Sequence, residues 1–165
     1  QVKMKETRIV SHSPKETRDI AATLIRKRRG RAVFALHGEL GSGKTCFVQG
    51  LATALGIRRP ITSPTFTVIN EYKAPQPLCH IDLYRLNSPD EALAIGFEDY
   101  MEADAVTAVE WAERAGDLIP ADAIHVHFEA MAGSNERSIR IREGQDSRPR
   151  PSSSSSYSTA SRKGD

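Results

Sequence analysis

The chain has 165 residues, 39% hydrophobic and 27% charged, a balance that fits one globular domain with a core of its own. Its formal net charge of +2 arises at one end: residues 147–165 carry Arg148, Arg150, Arg162 and Lys163 against Asp165 alone, three net positives, so the body stands at −1. A body without basic excess argues against gripping nucleic acid directly. No apolar run approaches the roughly 20 residues that span a bilayer, so no membrane association is expected.

The opening "QVKMKETRIV" shows no apolar segment followed by a cleavage site, and Cys46 and Cys79 are too few for a disulfide scaffold or a cysteine-based zinc site. The expected setting is therefore reducing and cytoplasmic. In "SPKETRDIAATLIRKRRGR", Ser13 is an N-cap, Pro14 the first helical residue and Glu16 the far side of a capping box, with Ile20, Ala21, Leu24 and Ile25 at helical spacing. Gly30 stops this helix, and the basic run Arg26 to Arg29 reads as its solvated end. "AVFALH" (32–37) has the composition of a buried strand, and "KTCFVQGLATALG" (44–56) that of a helix. "TFTVINEY" (65–72) and "LCHIDLYRL" (78–86) alternate as strands joined through "KAPQP".

"SPDEALAIG" (88–96) has the start and stop signals of a helix, and "AVTAVEW" (105–111) is a second buried strand. "AIHVHFEA" (123–130) and "RSIRIRE" (137–143) alternate around "MAGSNE" as a hairpin. After Gly144 the sequence turns apolar-poor and Ser-rich, so residues 1–144 are expected to fold and 145–165 to form a disordered Ser/Arg-rich tail. Helices alternating with strands give an α/β protein with antiparallel pairing in the middle and at the end.

Gly38-Glu39-Leu40-Gly41-Ser42-Gly43-Lys44-Thr45 matches G-x-x-x-x-G-K-[ST] in full, after an apolar strand and opening a helix. The glycines let successive backbone N–H groups, through Cys46, point at phosphate oxygens, and the helix N-terminus adds its dipole. Lys44 supplies a point charge for the outer phosphates and the Thr45 hydroxyl a ligand for magnesium. A carboxylate on a neighbouring strand should complete the metal site, and two compete: Glu110, closing the strand "AVTAVE", and Asp82, mid-strand in "HIDLYR" on the face of His80 and Tyr84. Thr65 in "TSPTF" is either a sensor of the terminal phosphate or part of a strand-entry turn. Trp111 reads as core. His12, His37, His125 and His127 lack metal-ligand spacing, while His80 stands two residues from Asp82.

The absence of an Asn-Lys-x-Asp motif disfavours a GTPase. The acidic segment 85–100, with one arginine at its edge, makes a poor phosphate lid and weakens a small-metabolite kinase reading. A nucleotide-gated binding module that does not need hydrolysis stays open.

In order along the chain, "GELGSGKT", "SPTFTVINEY", "HIDLYRL", "GFEDY" and "VEWAER…IP" closely resemble the bacterial tRNA threonylcarbamoyladenosine biosynthesis ATPase family, TsaE (YjeE), over roughly residues 8–142. The resemblance implies a P-loop NTPase-like three-layer sandwich with a mixed central sheet that binds and slowly hydrolyses ATP with Mg2+. It implies a part in forming N6-threonylcarbamoyladenosine at position 37 of ANN-decoding tRNAs. The expected partners are a transferase subunit and its inactive paralogue, a heterodimer that ATP turnover resets, with tRNA contacted only through that complex.

Carried over, Gly41, Ser42, Gly43, Lys44, Thr45 and Cys46 hold phosphate, and Thr45, Asp82 and Glu110 hold the metal. Lys44, Asp82, Glu110 and Thr65 are the expected catalytic set, Trp111 lies beside the site and Ser13 near the adenine. Relatives often have a second threonine where Cys46 stands. A thiol is a weak donor, so ATP affinity is expected to be about 2- to 13-fold below that of a threonine variant.

Overall fold

The computed structural model describes residues 3–28, 30–39 and 41–144; the expected tail from 145 onward lies outside them. A core strand, β2 (Ala32–His37), is followed through the glycine-rich loop by helix α2 (Lys44–Ala54). Strand β2 lies between β5 (Val106–Glu110) and β6 (Ile124–Ala130), parallel to both, and β4 (Leu78–Asp82) joins β5 in parallel on its far side. Antiparallel strands flank these four: β3 (Ile69–Tyr72) beside β4, and β7 (Arg137–Gly144) then β1 (Met4–Ser11) beyond β6. The mixed seven-stranded order is β1-β7-β6-β2-β5-β4-β3.

Strand alternation sends Phe34, Leu36, Val126 and Phe128 to one face, where α1 (Pro14–Arg26) and α2 cover them. The opposite face of β2, β4 and β5, with Val33, Ala35, Ile81 and Val109, packs under α3 (Pro89–Ala94), α4 (Phe97–Glu102) and a 3-10 segment at Ala112–Leu118. The result is the expected three-layer α/β sandwich. Fully buried Phe34, Phe47, Leu36 and Leu51 each contribute about 1.5–3 kcal/mol through burial. Helices α1 and α2 meet at Gly50, where a Cβ would fall 2.7 Å from the Arg18 Cα, so only glycine permits that approach. Among the described residues no helix is long and apolar enough to cross a membrane.

Several local expectations need correction. The strand expected over 65–72 begins only at Ile69, because Val68 N–H turns back to the Pro64 carbonyl at 2.6 Å and Val68 adopts φ 67°. The strand expected over 78–86 ends at Asp82, which is terminal rather than mid-strand: the Tyr84 N–H donates to Asp82 Oδ1 at 2.8 Å and turns the chain. Strand β1 and helix α4 lie outside those expectations; β1 is largely exposed and carries too little alternation to announce itself. Ser13 caps α1 by accepting the Glu16 N–H at 3.1 Å, but the Glu16 carboxylate returns to the His12 N–H at 2.7 Å rather than to Ser13. Arg28 in the basic run pairs with Glu143 at 2.8 Å and is mostly buried, so that run is not simply solvated.

Candidate functional site

The glycine-rich loop leaves β2 at His37 and enters α2 at Lys44. Gly43 forms the N-cap at φ 112°, a conformation that L side chains rarely adopt, and so lets the first turn of α2 open toward the loop. Lys44 is 5% exposed, donates from Nζ to the Gly38 carbonyl at 2.6 Å and lies 4.3 Å from the Trp111 ring centroid. Burial lowers its ammonium pKa, opposed by the negative charges of Glu110, Asp82 and Glu113. Trp111 stands at φ 56°, a backbone strain directly after Glu110 that turns its ring beside the lysine.

Asp82 and Glu110 are Cα partners across the parallel β4–β5 pair, and alternation points both to the face that carries α2. Both are buried. Burial raises the Asp82 pKa, with Glu110 adding to the rise and the bonds from the Tyr84 N–H and the Thr65 hydroxyl opposing it. Thr65 Oγ1 donates to Asp82 Oδ2 at 3.2 Å, and Val68 O accepts the Asp82 N–H at 2.8 Å. The 64–68 turn is thus tied at two points to the end of β4.

The structure therefore gathers Lys44, Asp82, Glu110, Thr65 and Trp111 around the entry to α2. Thr45 and Cys46 occupy its first turn, half-buried. Ser13 is otherwise engaged: its hydrogen bonds go to Ser11, Glu16 and Thr17, as the cap of α1. Two residues enter that the sequence did not assign. His80 is fully buried and bonds through Nε2 to Glu110 Oε2 at 2.7 Å; its position two residues before Asp82 was the signal. Arg137 at the start of β7 donates to the Gly41 carbonyl at 3.4 Å, and no local pattern could reveal a contact across 96 positions.

On the opposite face of the strand end, His37, His125 and His127 come together. His37 Nε2 lies 2.9 Å from His125 Nδ1 and its ring stacks on His127 at 4.5 Å, with Glu113 Oε2 3.3 Å from its Nδ1. Burial lowers the pKa of all three, that of His127 to about 4.

The donor set suits a nucleotide with a divalent cation. Ser42 Oγ is buried in the loop without a hydrogen-bond partner, and a buried cation faces two buried carboxylates. Among the described residues no group of three or more His, Cys, Asp and Glu side chains could hold a metal ion alone. Magnesium commonly binds through one or two carboxylates plus phosphate oxygens, and Asp82 and Glu110 are the carboxylates present here.

Comparison with known proteins gives one consistent result. The family described as threonylcarbamoyl adenosine biosynthesis protein TsaE matches residues 11–139. The tRNA threonylcarbamoyladenosine biosynthesis protein TsaE of Bacillus subtilis is 37% identical over 137 residues, covering 82% of this chain and 85% of its own. That of Treponema pallidum is 37% identical over 128 residues, 78% of this chain and 95% of its own. The crystal structure of Bacillus subtilis YdiB superposes with a TM-score of 0.73 at 31% identity, over 87% of this chain and 89% of that one.

Proposed function

The chain belongs to the TsaE family of threonylcarbamoyl adenosine biosynthesis proteins, and from that membership and the site geometry we propose that it is a slow Mg2+-dependent ATPase serving tRNA threonylcarbamoyladenosine formation. The observation that carries the reading is the Asp82–Glu110 pair, fixed face to face by the β4–β5 register beside the buried Lys44.

In this reading the loop N–H groups from Gly41 to Cys46 and the Lys44 ammonium hold the phosphates. To do so Lys44 exchanges the Gly38 carbonyl for phosphate oxygen, and the Ser42 N–H leaves its 3.1 Å bond to the Glu39 carbonyl. Thr45, Asp82 and Glu110 would hold magnesium, which when bound neutralises charge on the outer phosphates. Glu110 or Asp82 orients a water whose oxygen bonds to the γ-phosphorus as the bond to the ADP oxygen breaks. Thr65, bonded to Asp82, links occupancy to the 64–68 turn. Beside it stand Phe66, 79% exposed, with Arg85 4.5 Å above its ring, and the half-exposed Tyr84. Aromatic and arginine side chains of this kind dominate protein interfaces, which supports docking on the transferase subunit and its inactive paralogue in the cytoplasm, with tRNA reached through that complex.

The test is reconstitution. Protein, transferase heterodimer, ATP and magnesium should co-elute and modify tRNA over repeated rounds. Lys44→Ala should lose nucleotide binding by roughly 10- to 150-fold, the scale of charge-assisted contacts. Glu110→Ala should bind ATP, fail to hydrolyse it and stop after few rounds. Many rounds with Glu110→Ala would leave a nucleotide-gated binding module as the function, and phosphate appearing on an acceptor rather than in water would restore the kinase reading.

A further inference from the structure

His80 is fully buried, and the hydrolytic scheme above gives it no task. It lies on β4 opposite Ala108 of β5, and Glu110 is the next residue along β5 on the same face. The small Ala108 leaves the diagonal open, and the imidazole Nε2 meets Glu110 Oε2 at 2.7 Å. The other ring nitrogen, Nδ1, is buried with no hydrogen-bond partner.

That asymmetry selects one form of the ring. A proton on Nδ1 would bury an N–H with no acceptor, which costs about 1–3 kcal/mol, and would leave the Nε2 lone pair facing a carboxylate. The form that fits carries a proton on Nε2 and donates it to Glu110. Among the described residues no hydrogen bond reaches the second carboxylate oxygen, Oε1.

We propose that His80 is a positioning residue: by holding Oε2 it fixes the rotation of the Glu110 carboxylate and leaves Oε1 as the oxygen that serves the phosphate and metal side of the site. The proposal rests on the ATPase reading above and adds to it the residue that sets the geometry of its carboxylate. Partners that orient a ligating carboxylate typically change activity or metal affinity by about 10- to 100-fold when removed.

The experiment compares two polar replacements, His80→Gln and His80→Asn, that differ in where they place a donor. The longer glutamine side chain carries its amide to the reach of the imidazole Nε2, and the shorter asparagine carries its amide near the place of Nδ1. His80→Gln should keep kcat within about 5-fold of the parent, whereas His80→Asn should lose about 10- to 100-fold in kcat. Affinity of both for a fluorescent ATP analogue, measured with magnesium chelated, should stay within about 3-fold, and neither should lower kcat further in a Glu110→Gln background.

A ring 1H–15N spectrum of the unmodified protein supplies a readout independent of turnover and should show a proton on His80 Nε2. Equal turnover by folded His80→Gln and His80→Asn proteins, a ring without a proton on Nε2, or a further loss in the Glu110→Gln background each overturns the proposal while leaving the ATPase reading intact. If the unmodified protein fails to hydrolyse ATP even with its transferase partners, the ATPase reading falls and takes this proposal with it. Should His80→Asn not fold, the spectrum and His80→Gln in both backgrounds still decide it.

Discussion

On the α2 face of the strand ends, Asp82, Glu110 and Lys44 are buried with His80, whereas on the opposite face His37, His125 and His127 stack beside the single exposed carboxylate of Glu113. The first cluster hangs on β4, β5 and the start of α2 and is buried; the second hangs on β2 and β6 and is half-buried. They resolve burial differently. The first sets opposite charges together, and Lys44 feels both carboxylates. The second faces Arg140, Arg142 and Lys44, whose positive charges oppose protonation, and burial drives all three rings toward the neutral form. Burial tolerates charge where counter-charges are buried beside it and removes it where the one counter-charge, Glu113, is exposed and positive neighbours oppose protonation. A site that must receive polyphosphate and a cation needs the first arrangement; the second is a polar wall.

The largest test of this contrast is Asp82→Asn. Its turnover should fall by roughly 100-fold, on the scale of losing one preorganised electrostatic group, as a phosphate-release assay would show. Its stability should move the other way. The folded carboxyl holds its proton to a higher pH than the unfolded value of 3.8, so the folded state binds more protons across that window and stability declines as pH rises through it. At neutral pH the ionised, buried Asp82 therefore costs stability. Asparagine keeps an acceptor for the Tyr84 N–H and turns its amide N–H toward the Thr65 hydroxyl oxygen, which can accept it, without the charge. Thermal melts at pH 7 should rise by about 2–4 °C for each kcal/mol recovered. A lower melting temperature at pH 7 would break the claim that this face bears an electrostatic cost for function.

The histidine face predicts the opposite slope. His127 titrates near 6.5 when unfolded and at about 4 when folded, so the unfolded chain binds more protons between those values and stability falls as pH drops from 6.5 to 4. His37 and His125 act in the same direction. Replacing His127 with Asn should flatten the acid decline by a few °C, about 2–4 °C per kcal/mol, with little change at pH 7.5. Melting curves over that range check it, and an unchanged decline would mean that the stack is not the acid-labile element.

The two faces were unequally legible in the sequence. The loop from Gly38 to Thr45 and the strand ending at Glu110 announce themselves, because a phosphate cradle needs glycines, a lysine and a hydroxyl at fixed spacing between a strand and a helix. On pattern Asp82 ranks below Glu110, and the sequence does not divide roles between them; the β4–β5 register makes them a pair. His80, Arg137 and the histidine stack depend on which strands are neighbours, a long-range property that single-strand periodicity does not carry. Strand β1 escaped for a related reason: its eight residues pair with β7 through the backbone while leaving most side chains in solvent, so no alternation marks it.

The smallest expected effect lies inside the cradle, at a neutral group. Cys46 sits in the first turn of α2, half-buried, next to the hydroxyl of Thr45. Its backbone N–H is there whatever its side chain, so Cys46→Thr exchanges a weak thiol donor for a hydroxyl donor and adds one methyl group. A neutral hydrogen bond contributes about 0.5–1.5 kcal/mol net, hence a gain of roughly 2- to 13-fold in ATP affinity by fluorescence titration, with kcat nearly constant because the new bond serves bound substrate and transition state alike. A charge-assisted contact would contribute about twice as much. If the threonine variant gained more than Lys44→Ala loses, the ranking of charge over neutral contacts on this face would be reversed, and the buried carboxylate–lysine cluster would no longer be the principal determinant of nucleotide binding.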